Sequence, residues 1–251
     1  MIRSELHAGV RVLTLDRPEV LNAFNADQFE LLAERLIEAQ EDPATKVVVL
    51  TGAGRAFSAG ADLSGRPVSG RSYRYGFQGL VDVVIDFPRP LIVAVNGLGV
   101  GWGATVLGLA DAAFMAESAR LRCPFSTLGL TAEGASTYTF PRIMGPQAAA
   151  RFLLGAEWWP AAQCKADRLV LEVLPDEGFL ERVLEFAQQL AALPLASLLE
   201  TKRLLVDPHR AALHQANAAE NAALRRLASG PANREAVAAF REKRPADFSQ
   251  L

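Results

Sequence analysis

Two glycine-rich stretches decide the fold, FSAGADL at residues 57–63 and AVNGLGVGWG at residues 94–103. Each follows an apolar run typical of a buried strand, VVVL at 47–50 and LIVAV at 91–95. Their small residues leave backbone N–H groups open to close approach. Because N–H groups from two turns can together stabilise a negatively charged oxygen, the pair predicts an oxyanion-binding site.

Residues 91–117 taken alone permit two other interpretations. Gly99-x-Gly101-x-x-Ala104 follows a strand and matches the G-x-G-x-x-A form of dinucleotide-binding folds, and Glu117 lies 18 residues beyond Gly99. The glycines can also simply allow close backbone packing. The stretch at 57–63, which also follows a buried strand, favours a site shared by two turns over a nicotinamide or flavin fold.

The flanking sequence alternates strand and helix patterns, which is typical of β-α-β units. The patterns predict strands at Val10–Leu15, 46–51 and Leu91–Val95, and helices at 25–42 and 75–86. Asn25 or Asp27 is expected to cap the first of these helices.

The remaining chain becomes helical and rich in Ala and Leu from about residue 178. Short strands are expected before that point, at Ala112–Ala116 and 169–174. Helix breaks are expected at Pro194, Pro208 and Gly230-Pro231. These patterns predict an α/β core over residues 1–190 and a helical region over residues 191–251.

The composition excludes several classes of protein. The 251 residues carry 26 basic and 28 acidic side chains, so the charge balance gives no reason to expect nucleic-acid or anionic-membrane binding. Cys123 and Cys164 are too few for a disulfide scaffold or a four-cysteine zinc site. The three histidines do not have metal-ligand spacing. We therefore expect neither a metal site nor a disulfide framework.

The chain ends give little sign of targeting. The start, MIRSELHAGVRVL, lacks the apolar stretch of a signal peptide, and no run of 18 apolar residues occurs. These features favour a reducing, cytoplasmic compartment. The last three residues, Ser-Gln-Leu, differ by one residue from the peroxisomal Ser-Lys-Leu signal, which is the alternative.

The pairing of FSAGADL with AVNGxxxGxG resembles the crotonase superfamily, the enoyl-CoA hydratase/isomerase family. LDRPEVLNAF at 15–24 is similar to the family's L-x-R-P-x-x-x-N-A, and AAFREKRPADF at 238–248 to its closing A-F-x-E-K-R-x-P-x-F. The resemblance covers nearly the whole chain. It implies an α/β spiral of β-β-α units, a helical C-terminal region that covers the active site and forms trimers, and a homotrimer or a dimer of trimers.

The resemblance also implies an acyl-CoA thioester as substrate, with no other cofactor. By position in the motifs, the oxyanion-binding amides fall on Ala59 and Trp102. The other residues that the resemblance places against substrate or coenzyme A, together with Ala59, are Gly60, Ala61, Asp62, Leu63, Gly101 and Phe125.

The departures from the family pattern are informative. Hydratases of this family carry two glutamates that position and deprotonate water. Their positions fall here on Thr105 and on Phe125, which follows Pro124. Neither residue can accept a proton from water, so hydration of a 2-enoyl-CoA is not expected.

One carboxylate remains, in CPFSTLGLTAEGASTYTFPRIMG at 123–145. This stretch resembles the peroxisomal type of Δ3,Δ2-enoyl-CoA isomerase, with a pattern near P-F-x-x-L-G-x-x-x-E-G-x-S-x-Y-x-F-P. The catalytic glutamate of that branch falls on Glu133, where dienoyl-CoA and ring-opening isomerases have Asp. By spacing alone, Glu133 after Thr131 also fits a favourable charge at a helix N-terminus.

The expected reaction moves a C3–C4 double bond to C2–C3. One base removes a proton from C2 and returns one to C4, while two amides hold the dienolate oxygen. Apolar neighbours such as Leu128, Leu130 and Phe140 would raise the pKa of Glu133 and make it a better base. The alternatives are a 2-enoyl-CoA hydratase, a ring-type isomerase of aromatic degradation, an acyl-CoA-binding scaffold without catalysis, and a nicotinamide-dependent reductase.

Several polar and aromatic residues have a structural and a functional interpretation. Asp62 fits turn support or a second acid, Asp111 fits a turn, and Tyr138 fits packing. The pair Trp158-Trp159 is expected in the core or at a subunit interface. Cations that fit either coenzyme A phosphates or a solvated surface are Arg66, Arg71, Arg74, Lys202 and Lys243.

Overall fold

The computed structural model describes residues 1–62 and 72–251. Within these ranges the chain forms ten β-strands and nine α-helices. The strands are β1 (Ile2–His7), β2 (Val10–Leu15), β3 (Val47–Gly52), β4 (Ala56–Ser58), β5 (Leu91–Val95), β6 (Leu98–Val100), β7 (Ala112–Ala116), β8 (Arg120–Arg122), β9 (Trp158–Pro160) and β10 (Glu172–Leu174). The helices are α1 (Ala26–Glu41), α2 (Gly76–Asp86), α3 (Trp102–Thr105), α4 (Ser136–Met144), α5 (Pro146–Gly155), α6 (Ala161–Ala166), α7 (Phe179–Ala191), α8 (Leu195–Leu227) and α9 (Pro231–Glu242).

The strands form two sheets, one with the order β1-β2-β3-β5-β7-β10 and one with the order β4-β6-β8-β9. Strands β3, β5 and β7 lie parallel in the larger sheet, and the strand after each of them enters the smaller sheet. The chain is therefore a spiral in which each turn gives one strand to each sheet before a helix. The predicted spiral of β-β-α units is confirmed.

The apolar strands lie where their composition requires. Every residue of Leu91–Val95 is buried, as are Val47 through Leu50 of β3. Helix α7 packs against β2, β3 and β5, and α1 packs against β1 and α2. Because helices cover the sheet, its central strands have no polar face, which explains their continuous apolar runs.

Most predicted element boundaries agree with the structure to within a few residues. Asn25, rather than Asp27, caps α1, because its side chain accepts a hydrogen bond from the Gln28 N–H at 2.9 Å. Strand β1 was not predicted, since only Ile2 of its six residues is buried. It pairs antiparallel with β2 at the sheet edge. The strand predicted at 169–174 is confined to Glu172–Leu174.

The predicted helix break at Pro208 is wrong, because α8 continues through it from Leu195 to Leu227. A proline inside a helix removes one intrahelical hydrogen bond. Helix α8 compensates by packing against α2 and α4, and Arg210 donates to the Ile85 carbonyl and the Asp86 carboxylate. The breaks at Pro194 and Gly230-Pro231 are confirmed by the starts of α8 and α9. The proposed boundary at residue 190 coincides with the end of α7 and stays a prediction.

Candidate active site

The two glycine-rich turns meet backbone to backbone. Gly60 has a φ of +79°, and a Cβ there would lie 2.7 Å from the Val100 carbonyl oxygen. Gly101 has a φ of +56°, and a Cβ there would lie 3.4 Å from Glu133 Oε1 and 4.0 Å from Gly60 Cα. At Gly60 both the positive φ and the close approach require glycine, whereas at Gly101 the positive φ is what favours it. The structure therefore brings the two turns and the Glu133 carboxylate to one place.

In the first turn, the donor predicted from the sequence is already used. The Ala59 N–H donates to the Leu21 carbonyl at 2.9 Å. An N–H that is bonded to a carbonyl has no hydrogen left for a ligand. The assignment of Ala59 as an oxyanion donor is therefore corrected.

Among the described residues of this turn, Ala61 keeps a free amide, and it pairs with Phe24 in a short parallel bridge. Phe24 N–H donates to the Gly60 carbonyl at 2.7 Å, and Asp62 N–H donates to the Phe24 carbonyl at 2.8 Å. In parallel pairing, the N–H of the residue between these bonds points to the opposite side. Among residues 1–62 and 72–251, no acceptor takes a hydrogen bond from the Ala61 N–H.

The second turn presents the Trp102 N–H. Trp102 is the first residue of α3, where a backbone N–H has no intrahelical acceptor. A hydrogen bond from this N–H to the Glu133 carboxylate lowers the pKa of Glu133. The indole ring is buried and packs edge-on against Phe77, with ring centroids 5.7 Å apart. Trp102 therefore offers a backbone donor to the site, while its side chain forms a wall.

Glu133 lies in the loop before α4 and keeps partial exposure. Burial, the largest cause, and the nearby negative charge of Glu220 together raise the pKa of Glu133 to about 8, and the Trp102 N–H opposes the shift. A carboxyl group with this pKa can both accept and donate a proton near neutral pH. The arrangement therefore combines a proton acceptor with backbone donors.

The N-terminus of α4 is satisfied by Glu220, not by Glu133. Glu220, on α8, accepts hydrogen bonds from Ala135 N–H at 2.7 Å, from Thr137 N–H at 2.9 Å and from Thr137 Oγ1 at 2.6 Å. Glu220 therefore accepts the N–H groups at this helix start, and the interpretation of Glu133 as a favourable charge near the same N-terminus stays a prediction.

Sequence reasoning missed Glu220. A signal was available, since the buried stripe of α8 contains Leu213, Asn217, Glu220 and Asn221 at helical spacing. Polar residues continuing an apolar stripe indicate buried hydrogen-bond partners, although they do not say which.

The two positions that correspond to hydratase glutamates are enclosed. Thr105 is fully buried, and a Cβ on Gly134 would lie 2.7 Å from Thr105 Oγ1. Within the described ranges, Thr105 Oγ1 has no hydrogen-bond partner. Phe125 is also buried, and it lines an apolar groove together with Leu130 and Ala132. The contact of Phe125 with substrate stays a prediction.

The residues predicted to meet coenzyme A are dispersed. Leu63, Arg66 and Arg71 lie outside the described residues. Lys202 is buried, and its Nζ donates to Asp111 Oδ2 and to the Arg89 carbonyl, each at 2.7 Å. The two predictions for Lys202, a phosphate contact or a solvated charge, are therefore wrong. Arg74 stacks on the Tyr75 ring at 5.1 Å, and Lys243 is an exposed residue after α9.

Other candidates have structural roles. Asp62 pairs with Arg17 at 3.4 Å, which supports the first turn. Asp111 accepts a hydrogen bond from the Leu91 N–H at 2.7 Å, as expected of a residue that orients a turn. Tyr138 bonds to His209 Nδ1 at 2.9 Å. Trp159 is buried, whereas its neighbour Trp158 is partly exposed and stacks with the Arg120 guanidinium at 4.4 Å.

Two further observations concern ligands and membranes. In the part of the chain that the structure describes, no group of three or more His, Cys, Asp and Glu side chains is placed to bind a metal ion. None of the helices in that part combines the length and apolar character needed to cross a bilayer.

Known proteins are similar to this chain in sequence and in fold. A family model described as "Enoyl-CoA hydratase/isomerase" matches residues 5–251. The human protein named enoyl-CoA delta isomerase 2 is 35% identical over 220 residues, which are 84% of this chain and 56% of the human protein. This chain thus spans little more than half of that relative's length.

Two other matches extend over almost the whole chain. The 1,2-epoxyphenylacetyl-CoA isomerase of Escherichia coli K12 is 34% identical over 99% of this chain and 98% of its own. The crystal structure of an enoyl-CoA hydratase/isomerase from Pseudoalteromonas atlantica T6c superposes with a TM-score of 0.93 at 29% identity and covers 99% of both chains.

Proposed function

The chain belongs to the enoyl-CoA hydratase/isomerase family, and from this premise we propose that it converts a 3-enoyl-CoA into the 2-trans-enoyl-CoA. One observation carries the proposal. Glu133, with its pKa raised to about 8, is the carboxylate that the described residues bring to the place where the two glycine-rich turns meet. An isomerase needs one such base, whereas hydration in this family uses two carboxylates.

The amides of Ala61 and Trp102 bind the thioester oxygen. Within the described residues neither N–H donates to a backbone carbonyl, and the Trp102 N–H exchanges the Glu133 carboxylate for the thioester oxygen when substrate binds. As the C2–H bond breaks, its electron pair moves toward the thioester carbon, and negative charge develops on the oxygen. Fixed N–H donors stabilise this charge more strongly than that of the ground state. Ala61 replaces Ala59 in this role because the Ala59 N–H already donates to Leu21.

Glu133 carries the proton. Its carboxylate takes a proton from C2, which leaves a dienolate, and the resulting carboxylic acid gives a proton to C4. The C2–C3 double bond forms as the dienolate electrons return, and the base is regenerated. A pKa of about 8 suits both steps, because the carboxylate is a strong enough base and its acid holds the proton near neutral pH.

Water addition is disfavoured by the residues at the two hydratase positions. Thr105 is fully buried and Phe125 is apolar, so neither can deprotonate a water molecule. Glu133 alone would have to orient water, activate it and protonate the product.

A second candidate is a ring-type acyl-CoA isomerase. The specific observation in its favour is the match to the Escherichia coli protein named 1,2-epoxyphenylacetyl-CoA isomerase, which extends over nearly both chains. The proposed machinery, one base and two amides, serves any isomerisation that passes through a thioester enolate. The substrate decides between the two candidates.

The experiment is a panel of purified thioesters containing 3-enoyl, 2-enoyl and 1,2-epoxyphenylacetyl groups. We expect 3-enoyl-CoA to give the strongest turnover. Turnover is measured from the absorbance of the conjugated product. Hydration of crotonyl-CoA comparable with isomerisation would overturn the assignment. Turnover of the epoxide alone would select the second candidate.

Isotope transfer tests the single base. Reaction of C2-deuterated 3-enoyl-CoA in light water should place part of the deuterium at C4, because an enclosed acid exchanges slowly with solvent. Deuterium at C4 that is independent of Glu133 would contradict a single shuttle.

The assembly is also part of the proposal. Leu204 and Leu205 on α8 are 59% and 67% exposed, and Leu154 on α5 is 72% exposed. Exposed leucines of this kind fit burial between subunits. We expect a homotrimer or a dimer of trimers, and sedimentation of the purified chain as a monomer would contradict it.

A further inference from the structure

We infer that Glu220, on α8, is a positioning residue for the base: it fixes the turn that carries Glu133 and keeps a second negative charge next to it. The inference rests on the proposed function, since it assigns the support of the same base. It names a residue from the C-terminal helical region, far from the two glycine-rich turns in sequence.

The contacts of Glu220 bracket the turn. Oε2 accepts the Ala135 N–H at 2.7 Å, and Oε1 accepts the Thr137 N–H at 2.9 Å and the Thr137 hydroxyl at 2.6 Å. On the other side, the Ser136 N–H donates to the Glu133 carbonyl at 3.3 Å. The turn from Glu133 to Thr137 is thus closed by its own backbone bond and held from α8.

The turn needs this support. Ala135 has a φ of +57°, a left-handed conformation that costs energy for a residue with a Cβ. Ala135 precedes α4, and no side chain within α4 caps its N-terminus. The Glu220 carboxylate supplies the missing acceptor to N–H groups on both sides of Ser136. Without it, the direction in which the chain leaves Glu133 is less well defined.

The groups that bond to Glu220 require it to be an ionised carboxylate. Both backbone groups are donors, and an ionised carboxylate is an acceptor at both oxygens. A glutamine of the same shape would turn an NH2 group toward one of these donors. Glu220 is only 4% exposed, so its charge is poorly screened by water.

The charged groups around the two carboxylates decide how strongly the charge of Glu220 acts on Glu133. In the described part of the chain, no Lys, Arg or His side chain forms an ion pair with Glu133 or Glu220. Cys123 is the thiol that interacts with Glu133. The Tyr138–His209 pair lies on the same two helices, α4 and α8. Burial raises the pKa of Glu220, and its three hydrogen bonds oppose that shift.

Three variants distinguish the effect of the Glu220 hydrogen bonds on the position of Glu133 from the effect of the Glu220 charge on its pKa. Glu220→Gln removes the charge and keeps the size. Glu220→Asp keeps the charge but shortens the side chain, so that it cannot span all three donors. The matched control is Glu30→Gln, because Glu30 on α1 is also buried and accepts three backbone N–H groups at 2.7–3.0 Å, at the start of α2.

The readout is the pH profile of kcat/KM together with kcat and KM, on the thioester that the wild type turns over. Removing a like charge favours ionisation of Glu133, so Glu220→Gln should lower the apparent pKa of the base by about 0.5 to 1.5 units. Its plateau kcat should fall by about tenfold, with KM changed less than about threefold. Glu220→Asp should show the kcat loss with an unchanged apparent pKa. Glu30→Gln should leave the apparent pKa unchanged.

Each contrary result is informative. An unchanged profile and kcat in Glu220→Gln would overturn the inference, and so would an equal pKa shift in Glu30→Gln. If Glu220→Gln does not fold, Thr137→Val removes one of the three bonds and should lower kcat a few-fold at constant KM, and an unchanged kcat would overturn the positioning role. Glu133→Gln is measured in parallel. If it stays active, the proposed function fails, whereas an inactive Glu133→Gln beside a normal Glu220→Gln rejects the inference about Glu220 alone.

Discussion

Glu133 and Glu220 lie inside the protein at the start of α4, and they differ in the donors that they meet. Glu220 accepts three hydrogen bonds at 2.6–2.9 Å. In the described part of the chain, Glu133 accepts a hydrogen bond from the Trp102 N–H. This one donor does not offset burial, so the pKa of Glu133 rises to about 8. Burial by itself does not make a carboxylate reactive. Burial with few donors does, because the charged form is then poorly stabilised.

Glu30 supports this reading from another part of the molecule. It is buried, and it accepts the N–H groups of Arg74, Tyr75 and Gly76 at the start of α2. The fold thus uses a buried glutamate from one helix to cap another helix twice. Glu133, whose carboxylate faces Gly101 at the meeting point of two turns, departs from that use.

The comparison predicts its largest effect for Glu133→Gln. Glutamine keeps the shape and can accept the Trp102 N–H, but it cannot take a proton at neutral pH. Turnover should fall by about 10²–10⁴-fold, with acyl-CoA binding changed only a few-fold. Steady-state kinetics and calorimetric titration check the two parts. Retention of more than about a tenth of wild-type turnover would place the base elsewhere, with Asp62 the next residue to change.

The amides of the first turn differ in the same way, since the Ala59 N–H is bonded to a carbonyl and the Ala61 N–H is not. Ala61→Pro removes a free N–H while leaving the carbonyl of Gly60 bonded to Phe24. Turnover should fall by about 10²–10³-fold, the usual effect of losing one oxyanion donor. Circular dichroism and thermal unfolding control for the fold. Near-normal turnover in a folded variant would exclude the Ala61 amide.

The pH dependence sharpens the comparison without mutation. A general base acts only when ionised, so kcat/KM should rise with pH by about tenfold per unit and level off above about 8. The profile is measured between pH 5.5 and about 9.5 in buffers of constant ionic strength. A plateau that extends down to pH 6 would mean that the base is not a carboxyl group with a raised pKa.

The smallest expected effects are on the free energy of unfolding, which substitutions of Glu133 and of Glu220 should change in opposite directions. The folded-state pKa of Glu133 lies above its ordinary value of 4.5. Its contribution to stability is therefore present below about pH 4.5 and is lost as pH rises through about 8. At pH 9, Glu133→Gln should increase the free energy of unfolding by on the order of 2 kcal/mol.

Glu220→Ala should decrease the free energy of unfolding by about 2 kcal/mol or more, because it leaves three donors unpaired. Urea unfolding of both variants and the wild type at pH 5 and pH 9 gives the comparison. Equal effects of the same sign would remove the distinction between the two glutamates.

Local sequence patterns determined most of the architecture. The apolar runs at Val47–Gly52 and Leu91–Val95 favour strands covered on both faces, since short runs rich in β-branched residues are typical of such strands. Asn25 specifies the start of α1 through a bond to a residue three positions away. The motif resemblance placed Glu133 and the two turns. Each of these signals acts within a few residues or belongs to a family pattern.

Only the tertiary structure decided which polar groups are used and which are free. Ala59 and Ala61 are both alanines in one turn, and the pairing with Leu21 and Phe24 decides which N–H is occupied. Glu220 meets Ala135 across 85 residues of sequence, and Lys202 meets Asp111 across 91. The direction of an N–H and the partner of a buried charge depend on elements that come together only on folding, so no local pattern encodes them.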